Sequence, residues 1–256
     1  MWLSQLNHTI LLLPFSAGQR LGSRDVALSV LLKGNHQYAV GYQGTTVAAE
    51  TYKMVAVQFD SVAGVGEGIP LNDLVKGVPF GTVIQIMDAR GLYDTYTYLE
   101  EAYDEVTDDF IPAWGDGLEN VALVKIVPGT AFWFKAPEST TGTIAGQLLS
   151  DASKTIATKA SSYTMIGNPY PVATNPNKLS INGINYGDVI QVMDAKGLYD
   201  TYTYLEEAYD EVTDNFVPGW GDGLENLITT DVLPAGQGAW MKTSSSAEIT
   251  FESPIK

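Results

Sequence analysis

The chain has 256 residues, 45% of them hydrophobic and 17% charged, with 14 Tyr, 25 Gly and 12 Pro. This composition excludes a disordered chain, and its Thr, Val, Ile and Tyr set between Gly, Pro, Asn and Asp point to strands and turns, not to a helical bundle. The lack of Cys excludes disulfides, thiol catalysis and Cys-based zinc sites, and a net charge of -16 works against nucleic acid or anionic lipid as partner.

In chain order, residues 1–51 come first and differ from the rest. They hold both histidines, His8 and His36, two of the three arginines and little acid. The longest apolar run, Ile10 to Phe15, is far too short to span a bilayer. Val47-Ala48-Ala49 resembles a signal cleavage site, but the preceding GNHQYAVGYQGTT is no apolar run, and VALSVLL from Val26 ends in Lys33. A leader, an added structural segment and a degenerate repeat all remain open. The echo of LLPFSAGQ (Leu12 to Gln19) in VLPAGQG near Val232 favours the degenerate repeat. No histidine lies further along, so no Ser-His-Asp triad or His metal site can be built in the remainder.

That remainder contains an internal duplication. Gly91–Asp108 and Gly197–Asp214 carry the same 18 letters, GLYDTYTYLEEAYDEVTD. Over Met87–Asn120 and Met193–Asn226 only four of 34 positions differ: Arg90/Lys196, Asp109/Asn215, Ile111/Val217 and Ala113/Gly219. Similarity continues outward, YKMVAVQF from Tyr52 against YTMIGNPY from Tyr163, and VPGTAFWFK from Val127 against LPAGQGAWMK from Leu233. The chain therefore reads as two β units of about 95 residues, 52–149 and 163–256, joined by a small polar linker, 150–162, with one short strand around Ile156.

The negative charge belongs to the copies. Residues 87–120 hold ten acids and one base, residues 193–226 nine acids and one base, and all other positions 11 acids against 12 bases. Two local negative fields attract cations or basic partners.

Within each copy the β-forming run Thr82–Asp88 leads into Asp88-Ala89-Arg90-Gly91, a type I turn signature closed by a glycine of positive φ. A strand with alternating Tyr and Thr follows, which predicts β-hairpins at Thr82–Tyr98 and Asp188–Tyr204. Period two sets Tyr96 and Tyr98, like Tyr202 and Tyr204, on one face. They are candidate ligand-binding rings, although alternating Tyr also suits ordinary sheet packing. LEEAYDEVTD is the least strand-like stretch. It reads as a solvated acidic loop or as one to two helical turns from Glu100 to Val106. A helix would stack Glu100 over Asp104 and Glu101 over Glu105, each at a cost of a few tenths of a kcal/mol.

The acids raise calcium as a candidate cofactor. Hard cations need six to eight converging oxygens. Asp104, Asp108, Asp109 and Asp116 in the first copy, and Asp210, Asp214 and Asp222 in the second, are the candidate ligands. DEVTDD lacks the spacing of an EF-hand loop. A glycosidase would need one carboxyl with a raised pKa in an apolar pocket, and these acids crowd a polar segment present twice, so no enzyme is expected. No Gly-rich phosphate loop lies between strand and helix. Trp114, Trp133, Trp220 and Trp240 read as core residues, with Trp133 and Trp240 turned inward.

MIGNPYP (Met165 to Pro171), LPAGQGAWMK and the closing EITFESPI resemble a repeat of bacterial secreted and cell-surface proteins, over roughly residues 52–256. The first unit departs from it, with AVQFD where GNPYP would stand. The resemblance implies a location and an architecture, and brings no catalytic residues. The expectation is an all-β protein of two tandem sandwich-like units, each displaying a short acidic insertion. Its role is non-catalytic: structure, assembly or adhesion outside the cell or in its envelope, with a protein or glycan partner or self-association, and no transmembrane segment. The alternative is a calcium-dependent carbohydrate-binding module.

Overall fold

The structure, a computed structural model, describes residues 26–33, 36–62 and 66–254, with side chains from residue 40 onward. The fold is all-β. Val26–Lys33 (β1) and His36–Val47 (β2) pair antiparallel, followed by Tyr52–Ala56 (β3) and Ile69–Pro70 (β4). One helical turn, Leu71–Leu74 (α1), leads to Val75–Lys76 (β5), Val83–Met87 (β6), Tyr93–Asp104 (β7) and Asp109–Gly115 (β8). Lys125–Ile126 (β9), Ala131–Lys135 (β10), Thr140–Gln147 (β11) and Ser153–Ala157 (β12) come next. Ser162–Gly167 (β13), Ser180–Asn182 (β14), Val189–Met193 (β15), Tyr199–Asp210 (β16), Asn215–Gly221 (β17), Gly238–Thr243 (β18) and Glu248–Glu252 (β19) complete the series. The echo segment Leu12–Gln19 lies outside the described residues.

Two five-stranded antiparallel sheets have matching orders, β3-β10-β6-β7-β8 and β13-β18-β15-β16-β17. The first packs on the sheet β1-β2-β11-β5 and the second on β12-β19-β14. Alternation along each strand makes these sandwiches. Val55, Phe132, Phe134, Ile84 and Trp114 from one layer meet Val47, Ile144 and Val75 from the other in a first core. Ile166, Met241, Ile190 and Trp220 meet Ile249 and Phe251 in a second. Val47, read from sequence beside a cleavage-like site, is a buried β2 residue, and the strand around Ile156 is β12, paired with β19.

Both expected hairpins form. β6 pairs with β7 and β15 with β16, and Gly91 takes φ 83° where the turn closes, its N–H on the Asp88 carbonyl at 3.1 Å. The acidic run corrects the helical expectation. Glu100–Asp104 continues β7, a bulge between Leu99 and Ala102 turns Glu100 and Glu101 to solvent, and Glu105–Asp108 closes a turn onto β8. In the strand, Ala102 is fully buried and Tyr103 packs on Phe110, whereas a helix would have stacked like charges and buried neither. Trp114 and Trp220 lie in the cores as expected. Trp133 and Trp240 are partly buried against a different cluster, because Phe132 and Phe134 already hold the sandwich face of β10 and period two turns Trp133 to the opposite face.

That opposite face is where the two five-stranded sheets meet. Met54, Ala131 and Met165 form a third cluster, with Trp133 and Trp240 packed at 6.3 Å between ring centroids. The backbone exchange is reciprocal. Ala56 N–H donates to the Gly236 carbonyl at 2.9 Å, and Gly167 N–H donates to the Gly129 carbonyl at 3.0 Å. β3 and β13, the end strands of their sheets, are thus each covered by the glycine turn of the opposite half. The approach leaves no room for side chains: a Cβ on Gly167 would lie 2.5 Å from Ala56 Cβ, and one on Gly238 2.7 Å from Ala131 Cβ. Gly167→Val should therefore cost about 2 kcal/mol, as overpacking of a tight contact does. A thermal melt should show a midpoint lowered by several degrees, while Gly117→Ala, whose new Cβ meets nothing within 4 Å, melts with the parent. Equal midpoints for all three chains would mean that the seam gives way freely.

Candidate functional site

The duplicated hairpins are the candidate site. β7 and β16 each run 12 residues from the β-turn near Asp88 or Asp194 to an acidic tip. At the first tip Asp104 and Asp109 stand opposite each other in the ladder, and Asp108 takes φ 58° within the turn, a conformation that Asp tolerates better than most residues. At the second tip Asp210 opposes Asn215 and Asp214 takes φ 56°. Asp116 and Asp222 sit one loop further on, after β8 and β17.

Most of the seven candidate ligands are engaged as turn acceptors. Asp104 Oδ1 accepts from Val106 N–H at 2.9 Å, and Asp108 Oδ1 accepts from the Tyr103 hydroxyl at 2.7 Å. Asp116 Oδ1 accepts from Leu118 N–H and Asn120 N–H at 2.8 and 3.1 Å. Asp210, Asp214 and Asp222 repeat these roles with Val212, Tyr209, and Leu224 with Asn226. Asp109 is exposed. Asp104 and Asp116 share a surface groove of about 340 Å³ with Tyr96, Tyr103, Glu105 and Asn120, whereas Asp108 and Asp109 do not line it. Among the described residues, no three Asp, Glu or His side chains converge in a metal-holding group.

These bonds set the acidities. The Asp108 carboxylate holds the Tyr103 phenol above its ordinary value, as Asp214 does for Tyr209. Donors from Thr213 and the Val212 backbone hold Asp210 below the usual carboxylate range. Burial pushes Asp222 up, but the N–H groups of Asn226 and Leu224 outweigh it and the net shift is down. At the other end of the strand, the Leu92 N–H and the Arg90 guanidinium bring Asp88 down to about 2.

The candidate ligand tyrosines are half-buried. Tyr98 lies between Phe80, stacked at 5.2 Å, and Trp114 at 5.5 Å, and Tyr204 lies between Tyr186 and Trp220 at 5.5 and 5.6 Å. Tyr96 and Tyr202 pack on the two cores, and burial raises their phenols. The face of each hairpin that holds these rings is therefore the core side.

The exposed apolar residues are what sequence reasoning missed. Val106 is 86% exposed and Val212 82%; Phe110 is 67% exposed and Phe216 66%. Leu118 and Leu224 are exposed in the following loop. Each tip thus presents a valine and a phenylalanine among carboxylates, and the two tips match. The signal was in the sequence: these apolar letters survive unchanged inside an acidic stretch that a purely solvated loop would not require. Asn72 and Asn177 were also missed. The Oδ1 atoms of Asn72 and Asn177 accept the N–H of Trp114 and of Trp220, both at 2.7 Å, and so satisfy the outer strands β8 and β17. No protein-family model, curated protein or solved structure matches the chain.

Two titrations check the tip and the turn. Asp108→Asn removes the negative partner of Tyr103, so an NMR titration of the Tyr103 ring should place its phenol closer to the ordinary value than in the parent. With the carboxylate present, the raised pKa stabilises the fold below the ordinary phenol value, and that contribution is lost as pH rises through the folded value. Asp88 carries the opposite sign. Its contribution is present above the ordinary carboxylate value and is lost as pH falls toward about 2, where its carboxyl resonance should have its midpoint. An Asp88 midpoint in the ordinary range would mean that the turn is open in solution.

Proposed function

We propose that this chain is a non-catalytic β protein of the cell exterior or envelope, with a structural, assembly or adhesion role, and that its two acidic hairpin tips are paired docking elements for a protein partner. The observation that carries the reading is the matched exposure of Val106 with Val212 and of Phe110 with Phe216, each pair set among carboxylates. Exposed aromatic and aliphatic side chains supply the apolar centre that a binding surface needs, and the acids around them select a basic partner and speed encounter. Two closely matching tips on one chain bind a repeated partner with avidity. A protein is favoured over a glycan because the ring faces of Tyr98 and Tyr204, on which a sugar would stack, are covered by Phe80, Tyr186 and the two tryptophans. A non-catalytic role fits acids that lie on exposed turns, since glycoside hydrolysis needs a carboxyl in an apolar pocket. The location rests on the resemblance to secreted and cell-surface repeats carried by MIGNPYP, LPAGQGAWMK and EITFESPI.

The reading is tested by retention of the fluorescently labelled chain on cells of its source organism, read beside a glycan array with and without chelator. Replacing Val106 and Phe110 by Ser should weaken retention roughly a hundredfold or more through lost avidity. Replacing Val212 and Phe216 as well should reduce it to background, with the β-sheet circular dichroism retained and the thermal midpoint lowered only slightly by loss of the ring contacts to Tyr103 and Tyr209. Unchanged retention in the fourfold variant removes the tips from the function. Calcium-dependent glycan binding would put the carbohydrate-binding module in place of this reading.

A further inference from the structure

A second surface feature lies at the far end of the hairpin from the acidic tip. The β6–β7 turn of the first half and strands β12 and β13 of the second enclose a cleft of about 360 Å³, whose lining includes Met87, Thr130, Ile156, Met165, Lys154 and Lys159. Three of these residues are apolar and two are lysines. Neither lysine forms an ion pair among the described residues. The one carboxylate in the lining, Asp88, is held by Arg90 Nε at 2.7 Å. On a chain of net charge -16 this is a local basic site over an apolar floor.

The glycine turn beside the cleft differs from its counterpart in the other half. Gly129-Thr130-Ala131 and Gly236-Gln237-Gly238 occupy matching places before β10 and β18. On the Gly236 side, Gln237 Nε2 donates to the Met193 carbonyl and so joins the glycine turn to the end of β15, while Gln43 Nε2 of β2 donates to the Gly236 carbonyl at 3.0 Å. On the Gly129 side, the shorter Thr130 stands in the place of Gln237, and Ile156 lies against Gly129 where Gln43 lies against Gly236. No hydrogen bond joins Thr130 to Met87 among the described residues, and the space stays free.

We infer that this cleft receives the acidic tip of a second copy of the chain, so that molecules associate head to tail. Charge and polarity match on both sides. The tip presents Val106 or Val212, with Glu105 and Asp108 or Glu211 and Asp214 beside it, and the cleft offers Met87, Ile156 and Met165 flanked by Lys154 and Lys159. The tip cannot fill the cleft beside its own hairpin, because the 12 residues of β7 separate the two ends by roughly 36 Å at the rise of a strand. The contact joins two different surfaces, so it propagates as an open chain or closes as a ring, and the spare tip of each molecule is left for other partners. This inference rests on the reading of the tips as docking elements and names one occupant for them.

Sedimentation velocity of the full chain over a concentration series tests it. The parent should shift to larger species as concentration rises, and high salt should reverse the shift through screening. Lys154→Glu with Lys159→Glu should remain monomeric, and so should a chain with Glu105, Asp108, Glu211 and Asp214 changed to Lys. Mixing these two charge-reversed chains should restore association, because each tip then faces a cleft of opposite sign. Thr130→Gln, which copies the bridge made by Gln237, should block assembly without any change of charge. A parent that is monomeric throughout overturns the inference, as does assembly that survives the cleft lysine changes or a mixture that fails to associate. Retention on cells is read separately, so a parent that fails to self-associate but is retained on cells removes the cleft contact alone.

Discussion

The contact on which the molecule depends is the exchange of two backbone hydrogen bonds between glycine turns and strand ends. Gly129 and Gly236 offer their carbonyls to Gly167 and Ala56, and each bond covers an end strand whose N–H groups would otherwise face solvent. The exchange requires backbone to approach backbone, so Gly167 and Gly238 stand where any side chain would collide. Around it Met54, Met165, Trp133 and Trp240 fill the seam, and the unbranched methionines suit an irregular space between two pleated faces. With β3 and β13 at that seam, β8 and β17 are the opposite end strands of the two sheets. The acidic hairpins are carried at those outer ends.

The outer ends are protected by other means. Pro112 and Pro218 lie within β8 and β17, where a missing N–H is tolerated only at an edge. Asn72 and Asn177 occupy the N–H groups of Trp114 and Trp220. The carboxylates beyond them repel a like strand. These devices discourage strand-by-strand aggregation and leave side chains, not backbone, as the means of recognition. An acidic tip with one exposed valine and one exposed phenylalanine suits a specific contact of modest size, and the basic cleft beside Ile156 offers such a contact on the same molecule.

Much of this was legible in the letters. The alternation of Tyr and Thr, the Asp-x-x-Gly turn and the near-verbatim copies located both hairpins, and Trp114 and Trp220 entered the cores as expected. The acidic run was less legible, because Glu and Ala favour helix locally, while the burial of Ala102 and the pairing of β7 with β8 across the acidic turn are terms that single-residue propensity does not contain. Trp133 was legible in principle: Phe132 and Phe134 flank it, and only one face of β10 reaches the core. The candidate carboxylates were easy to identify by type, but their engagement in turns depends on backbone N–H positions that appear only once the loops are built.

By itself, the sequence determined the secondary-structure class, the places of the hairpins, the confinement of negative charge to them and the absence of thiol or histidine chemistry from the second half. These follow from composition and from periods of two, which are local. Only the tertiary structure decided which face of each strand became core, which apolar side chains were left on the tips and that Thr130 lines an open cleft while Gln237 bonds the Met193 carbonyl. Those outcomes depend on which surfaces meet across more than a hundred positions of chain, as Gln43 meets Gly236, and no local pattern carries that information.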